Sequence, residues 1–273
     1  SGFGRYAVPI AKVGDIDLYY EVHGKGEPLL LIMGYGSNSG HWFVILPRLA
    51  AHFQTIIFDN RGTGRSGKPE IPYTADMMVG DPIGLMDSLG IDSAHVFGTS
   101  MGGMIAQQIA LEHPARVKKL VLGCTSCGGA HAVGSTPEAR DFLFNPERAK
   151  WSDEERARST VPWLWNQDFI DRHPEAVERY VKMTTQHATP MHGYMGQAHF
   201  ILTHDTYDRL PDLKIPTLVL TGKRDRLIPC ENSAILASRI PGAELVMFEK
   251  AGHGFISDTM EESSEKIISF LKR

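Results

Sequence analysis

Three things are scarce in this 273-residue sequence: cysteine, long apolar runs and an excess of either charge. Its three cysteines are too few for a disulfide framework, and their odd number favours a reducing compartment. The longest apolar runs, such as residues 29–33, are far shorter than the ~18 residues of a membrane-spanning helix. A net charge of −4, with no block of like charges, makes nucleic acid an unexpected partner. The sequence therefore predicts a protein that acts on neither membranes nor nucleic acids.

The start of the sequence, Ser1-Gly2, is not followed by the apolar core of a signal peptide. Together with the cysteine count, this predicts a cytoplasmic location. Hydrophobic residues make up 42% and charged residues 22%, which is typical of a globular protein and excludes disordered, collagenous and coiled-coil classes. The length corresponds to between one and two domains.

Short apolar runs alternate with longer amphipathic stretches, which predicts a doubly wound α/β sheet. The runs are residues 28–33, 55–58, 94–97, 119–122, 217–220 and 244–248. Before them, alternating apolar residues from Ile16 to Val22, behind a Gly14-Asp15 turn, predict an antiparallel hairpin with residues 6–12. Helices are predicted at residues 101–112, 232–239 and 259–271. A further helix at residues 74–89 should kink or restart at Asp81-Pro82, a typical N-cap and first helical pair.

Residues 123–210 break this alternation, because they contain no strand-like run and three of the four tryptophans. Charged helical pieces there alternate with methionine and aromatic residues. We therefore predict a helical cap at 123–210, inserted into a discontinuous core domain of residues 1–122 and 211–273.

Some patterns suggest cofactor or metal sites that the surrounding residues do not support. Residues 61–68 match G-x-G-x-x-G and most of a P-loop, but Pro69 supplies neither the hydroxyl nor the helix that phosphate binding needs, so a tight surface turn is expected at 59–66. Cys124 and Cys127 lack a second ligand pair and are expected to be buried or idle thiols. Four histidines, at positions 187, 192, 199 and 204, fit no metal-ligand spacing. No cofactor and no metal are predicted.

The pattern Gly98-Thr99-Ser100-Met101-Gly102 stands between a predicted strand and a predicted helix. A serine at such a turn has strained backbone angles, and its hydroxyl projects above the sheet. The glycines two positions away on either side leave room where a Cβ would collide. This context favours a nucleophile elbow over an ordinary strand-to-helix turn.

A serine hydroxyl becomes a nucleophile only when a base takes its proton and an acid orients that base. Asp225 follows the strand at 217–220, and His253 follows the strand at 244–248 between two glycines. Both loops leave the carboxyl edge of the sheet, where Ser100 also emerges. Asp258 is nearer to His253 in sequence, but it belongs to the start of the last helix, so Asp225 is the predicted acid.

An anionic tetrahedral intermediate also needs amide donors. The Met101 amide, at the N-terminus of the helix after Ser100, is one candidate. The other is the Tyr35 amide, in the Gly34-Tyr35-Gly36 loop after the first parallel strand. That glycine-rich loop is also compatible with a plain turn.

These motifs together resemble the α/β-hydrolase fold family over nearly the whole chain. The resemblance rests on the hairpin, the motif at 59–66, the elbow at 98–103, Gly222-x-x-Asp225 and Gly252-His253. Ser-Met-Gly-Gly-Met at 100–104 is similar to elbows of the capped esterase and enol-lactonase branch. The resemblance implies an eight-stranded sheet, a cap after the sixth strand and a Ser-Asp-His triad. One departure is Met33-Gly34, where the family usually has His-Gly as a loop support.

The predicted function is hydrolysis of a small carboxylic ester or lactone through an acyl-enzyme. The alternatives are carbon–carbon bond hydrolysis or perhydrolysis by the same triad, or a ligand-binding protein that barely uses it. Serine at the elbow argues against epoxide hydrolases and haloalkane dehalogenases, which use aspartate there. The predicted pocket includes Gly34, Trp165 and Leu227, and further cap residues are candidates for its lining: Trp163, Phe169, Met183, Met191, Tyr194, Met195 and Phe200. No arginine or lysine is assigned to the pocket, and both a monomer and a homo-oligomer remain open.

Overall fold

A computed structural model of the chain describes residues 9–143 and 145–273. Eight strands form one sheet in this part of the chain: β1 Ile10–Val13, β2 Ile16–His23, β3 Pro28–Ile32, β4 Gln54–Phe58, β5 Ala94–Thr99, β6 Val117–Gly123, β7 Thr217–Gly222 and β8 Glu244–Phe248. Every run predicted as a strand coincides with one of them, although β3 ends at Ile32, one residue before the predicted end. The first hairpin strand is observed from Ile10 onward, and its predicted residues 6–8 lie outside the described residues.

The strands are arranged in the order β1-β2-β4-β3-β5-β6-β7-β8. Strands β3 to β8 are mutually parallel, whereas β1 and β2 form an antiparallel hairpin and β2 pairs antiparallel with β4. This confirms the predicted eight-stranded, mostly parallel α/β sheet. The carboxyl ends of the six parallel strands therefore meet at one edge, where ligands bind in sheets of this kind.

Helices cover both faces of the sheet. They are α1 Leu46–Ala50, α2 Ala75–Ser88, α3 Met101–Glu112, α4 Pro137–Leu143, α5 Asp153–Leu164, α6 Gln167–Arg172, α7 Pro174–Gln186, α8 Met191–Thr203, α9 Glu231–Arg239, α10 Phe255–Asp258 and α11 Met260–Lys272. One apolar core packs α2, α3 and α9 against one face, and a second packs α1, α10 and α11 against the other. Strand side chains alternate between these cores, as Leu29 and Leu30 do, so the sheet is buried on both faces.

A kink or a restart is predicted at Asp81-Pro82; helix α2 is continuous there, so the restart is wrong. The helix begins after Thr74, whose side chain accepts a hydrogen bond from the Met77 amide, and Pro82 lies inside it. Asp81 does not act as an N-cap, because its carboxylate accepts two hydrogen bonds from the buried guanidinium of Arg61, at 2.7 and 2.8 Å. A tertiary partner thus outweighs the local capping pattern.

The turn at residues 59–66 follows β4 as predicted, but it is buried rather than on the surface. Asp59 is 1% exposed and Arg61 is 3% exposed. The Asp59 carboxylate accepts hydrogen bonds from the amides of Ser39 and Arg65, and the Ser66 hydroxyl donates to the Asp59 carbonyl. The turn is therefore a buried polar support for the neighbouring loops. Its polar residues satisfy one another, and a local sequence pattern does not reveal that.

Helices α4 to α8 all lie between β6 and β7. Three of them, α5, α6 and α7, share a small apolar core with Trp165 and Phe169 near its centre. Helix α5 begins with a capping box in which Ser152 and Glu155 bond each other's backbone amides. The division into a core and a cap at residues 123–210 stays a prediction, and this helical insertion is compatible with it. Within the described residues, no helix has the length and apolar character needed to cross a membrane.

The buried Arg61–Asp81 pair leads to a stability prediction. Asp81→Ala leaves the exposed Asp15 as the sole acidic partner of the buried Arg61 guanidinium among the described residues, so we expect a loss of about 3–5 kcal/mol in the free energy of unfolding. Asp15→Ala removes an exposed partner of the same guanidinium and should cost less than about 1 kcal/mol. Urea unfolding of the two variants measures both values. Equal losses in the two would contradict the assignment of Asp81 as the main partner.

Candidate active site

Ser100 lies at the sharp turn between β5 and α3, at the carboxyl edge of the sheet. Its backbone angles are φ 55° and ψ −123°, a strained conformation for a residue with a side chain. A Cβ at Gly98 would collide with the Gly102 carbonyl, and one at Gly102 would collide with the Ile32 carbonyl. The turn can therefore form only because both positions are glycine, which is the geometry expected of a nucleophile elbow.

The backbone of Ser100 is held from β6 and from the chain that follows it. Its amide donates to the Gly123 carbonyl at 2.9 Å, and its carbonyl accepts from the Thr125 hydroxyl at 2.7 Å. Gly34 lies against Ser100: a Cβ on Gly34 would be 3.0 Å from the Ser100 Cβ. The loop after β3 thus approaches the serine closely.

Asp225 and His253 lie side by side in the loops after β7 and β8. The distance from His253 Nδ1 to Asp225 Oδ2 is 2.7 Å, and the two side chains are 11% and 0% exposed. The other oxygen of Asp225 accepts from the amides of Leu227 and Ile228 at 2.9 Å each. An ionised carboxylate can only accept, so Nδ1 carries the proton and Nε2 is left as a base.

Asp258 has a different role from Asp225. Its carboxylate accepts from the amide of Gly252, directly before His253, and from the amide of Asn166 in the insertion. Burial raises the pKa of the Asp258 carboxyl, although both amide hydrogen bonds oppose that rise. Asp258 therefore holds the histidine loop against the insertion and does not contact the imidazole.

The loop after β3 has its own polar supports. Asn60 donates to the Met33 carbonyl at 2.9 Å, and Gln197 of α8 accepts from the Gly36 amide at 2.8 Å. Within residues 9–143 and 145–273, no acceptor takes the amide hydrogen of Tyr35 or of Met101. Both predicted oxyanion donors thus keep an amide that can bind a ligand oxygen. Their role in an oxyanion hole stays a prediction.

One cavity of about 860 Å³ lies between the sheet edge and the inserted helices. Such a volume is typical of a small-molecule site. Its lining includes seven of the eight predicted site residues: Gly34, Tyr35, Ser100, Met101, Trp165, Leu227 and His253. Asp225 lies behind His253, outside the lining. The structure thus brings all eight predicted residues to one place.

Of the other candidate pocket residues in the insertion, some line the cavity and the rest do not. Met191 and Tyr194 line the cavity, and the Tyr194 ring meets Tyr35 edge-on at 5.3 Å. The remainder pack elsewhere or face solvent: Trp163 on Phe142, Phe169 in the small core of the insertion, Met183 against Gly40, Phe200 in a core of the sheet, and Met195 at 52% exposure.

Sequence reasoning missed several polar residues of the cavity, among them Arg148, Asp153 and Arg156. They lie in a charged stretch that has the composition of a solvated surface. Their only sequence signal is that this stretch falls within the predicted cap. His41, from the loop after β3, also lines the cavity. Burial lowers the pKa of its imidazole to about 4, so it is neutral near pH 7.

Cys124 and Cys127 are buried free thiols, as expected. Burial raises the pKa of each, which keeps them protonated and poorly reactive. In the described part of the chain, no group of three or more histidine, cysteine or acidic side chains is arranged to hold a metal ion.

Comparisons with known proteins agree with this architecture. A family model described as alpha/beta hydrolase fold matches residues 27–258. A protein of Azorhizobium caulinodans with the provisional name carbamate hydrolase RutD is 32% identical, covering 96% of this chain and 98% of its own. Among solved structures, the enol-lactonase from Burkholderia xenovorans LB400 has a TM-score of 0.86 and 25% identity, with 97% and 100% of the two chains covered. A thermophilic esterase from Thermogutta terrifontis has a TM-score of 0.82 and 28% identity, with 96% and 98% covered.

All three of these proteins carry the names of hydrolases. All three align with this chain over nearly the full length of both chains at 25% identity or more, and the two solved structures have closely similar folds. Together with the family match over residues 27–258, this supports hydrolase activity on a small substrate. The chain belongs to the α/β-hydrolase fold family.

Proposed function

We propose that the protein hydrolyses a small carboxylic ester or lactone through an acyl-enzyme on Ser100. One observation carries the proposal: Ser100 and His253 line the same cavity, and His253 is hydrogen-bonded at 2.7 Å to the buried carboxylate of Asp225. Nucleophile, base and orienting acid are thereby supplied from three loops at one sheet edge. The partner is a small molecule. The cytoplasmic location and the absence of a cofactor stay predictions from the sequence.

In the first half of the proposed reaction, Ser100 Oγ attacks the substrate carbonyl carbon while His253 Nε2 takes its proton. Asp225 keeps the imidazole in the required tautomer and stabilises the imidazolium. The negative charge on the former carbonyl oxygen is met by the amides of Tyr35 and Met101. The ester C–O bond then breaks, and the leaving oxygen takes the proton from His253.

In the second half, water attacks the acyl carbon and gives a proton to His253 Nε2. The bond from the acyl group to Ser100 breaks, the serine regains its proton and the carboxylic acid leaves. A lactone follows the same path, except that the alcohol and the acid remain in one product molecule. Each half uses the same base and the same amide donors, so the arrangement needs no further group.

The two similar solved structures favour esters and lactones as the substrate class, since one is an enol-lactonase and the other an esterase. The name of the bacterial relative adds carbamates as a second class to test. In both classes a serine attacks a carbonyl flanked by a heteroatom, so the mechanism is shared. A panel of 4-nitrophenyl esters, lactones and carbamates of graded acyl length separates them by kcat/KM.

Substitution of the nucleophile gives a direct prediction. Ser100→Ala should lower kcat for a 4-nitrophenyl ester by about 10⁴- to 10⁶-fold, because it removes the hydroxyl that attacks the carbonyl carbon. The smaller side chain is tolerated at this turn, so the thermal unfolding midpoint should change little. Turnover that survives in a folded Ser100→Ala variant would contradict the assignment.

A fluorophosphonate probe tests the catalytic assignment against a mere binding role. Such probes react with a serine only when a neighbouring base activates it. We expect one adduct on the wild-type protein, located on Ser100 by peptide mass spectrometry, and no adduct on Ser100→Ala. A wild-type protein that stays unlabelled would favour a ligand-binding protein.

The two carboxylates beside the histidine loop should respond differently to amidation. Asp225→Asn places a donor group opposite Nδ1 and so disfavours the productive tautomer, which should lower kcat by about 10⁴-fold with little change in KM. Asp258→Asn keeps one acceptor oxygen and only loosens the histidine loop, so kcat should fall by at most about 10²-fold. Steady-state kinetics on one ester measures both. A larger loss for Asp258→Asn would assign the acid to that residue instead.

A further inference from the structure

Two arginines and one aspartate lie in the part of the cavity lined by the insertion: Arg148, Arg156 and Asp153. They are the only Asp, Glu, Lys or Arg side chains that line this cavity in the described residues. Arg156 forms a salt bridge with Asp153, so these two charges cancel. Arg148 forms no salt bridge with any described residue. The cavity therefore carries one uncompensated positive charge.

The guanidinium of Arg148 is half-buried and has only weak hydrogen bonds. Among the described residues its two hydrogen bonds go to the Phe142 carbonyl and the Thr160 hydroxyl, and both are 3.4 Å long, beyond the usual range for an N–H donor. It stacks at 3.9 Å on the Phe142 ring, with Trp151 at 5.8 Å. Contact with the face of the ring leaves the N–H donors of the guanidinium available to a ligand.

The phenols around this guanidinium do not supply the missing negative charge. Burial raises the pKa of Tyr35 to about 12, and burial also raises those of Tyr180 and Tyr194. All three line the cavity and stay protonated near pH 7. Desolvation lowers the pKa of Arg148, though an arginine stays charged in proteins. A positive charge held partly out of water without a counter-ion is costly, and an anionic ligand would relieve that cost.

We propose that Arg148 binds a carboxylate of the substrate, so that the protein acts on an ester or lactone which carries a free acid group away from the bond that is cleaved. This rests on the proposed function and names its substrate class. A carboxylate fits best, because its two oxygens match the paired donors of a guanidinium. The acid group lies in the part of the cavity lined by the insertion, and the acyl carbonyl lies at Ser100. Arg148 is thus a specificity-determining residue.

Two esters of equal chain length test this inference: mono(4-nitrophenyl) adipate, which has a free carboxylate, and 4-nitrophenyl hexanoate, which has none. We expect the wild-type protein to prefer the adipate ester. In Arg148→Met the ratio of kcat/KM for adipate to that for hexanoate should fall about 10- to 100-fold, the usual worth of a charged hydrogen bond, mainly through KM. Arg148→Lys, which keeps the charge but not the paired donors, should retain part of the preference.

Lys150→Met is the matched control. Lys150 belongs to the same short 3₁₀ segment, Pro146–Lys150, but it is exposed, pairs with Glu147 and does not line the cavity. Its removal takes away the same charge and should leave the ratio unchanged. A ratio that is the same in wild type and Arg148→Met, or one that falls equally in Lys150→Met, would overturn the inference.

Equilibrium binding separates this inference from the proposed function. Adipate itself should bind to the Ser100→Ala variant in calorimetry, and adding Arg148→Met should weaken that binding at least about 10-fold. If adipate binding depends on Arg148 but the wild-type protein hydrolyses none of the esters, the anion site is upheld and the ester function is rejected. If the wild-type protein hydrolyses esters but Arg148→Met changes neither the kcat/KM ratio nor adipate binding, the ester function is upheld and the anion site is rejected.

Discussion

The close contact between the start of α3 and the ends of β3 and β5 is the constraint on which the site depends. Gly98 and Gly102 lack the Cβ atoms that would separate these backbones, and Ser100 between them is held at positive φ. A strained residue persists only where its surroundings over-determine it, and here β6 supplies that restraint through the Gly123 carbonyl. Because α3 is pressed against β3, the loop after β3 also comes to lie against Ser100. One packing contact thus places both the proposed nucleophile and one proposed oxyanion donor.

Buried polar groups connect the loop after β3, the turn at 59–66 and helix α8 in one hydrogen-bond network. Asp59 accepts from the amide of Ser39, at the end of the loop that contains Tyr35. Gln197 accepts from Gly36 in that same loop and donates to the Arg61 carbonyl, so α8 is tied to the turn at 59–66. Unpaired polar groups are costly inside a protein, so these bonds restrict how the insertion can sit on the sheet. The loop geometry of the candidate site therefore depends on residues far from it in sequence.

Local patterns explain which parts of this structure could be predicted from sequence. The strands follow from short apolar runs, and the elbow from glycine spacing between a strand and a helix, because both signals lie within a few neighbouring residues. Asp81 shows where such patterns fail: Asp-Pro is a typical helix start, yet Arg61, twenty residues earlier, takes the carboxylate and the helix runs through. The prediction of a surface turn at 59–66 is wrong for the same reason, since the partners that bury this turn come from other parts of the chain.

The charge of the cavity shows the same limit and explains why substrate class is harder to predict than reaction type. Reaction type depends on residues whose positions the sheet dictates, as with Asp225 and His253 at the ends of adjacent strands. Substrate class depends on which charged side chains of the insertion line the cavity, and that placement is a tertiary property. Arg156 pairs with Asp153 three residues before it in α5, whereas Arg148, in the 3₁₀ segment before that helix, lines the cavity and forms no salt bridge with a described residue. A cap can therefore change its specificity by gaining or losing one carboxylate beside an arginine, while the sheet and its chemistry stay the same.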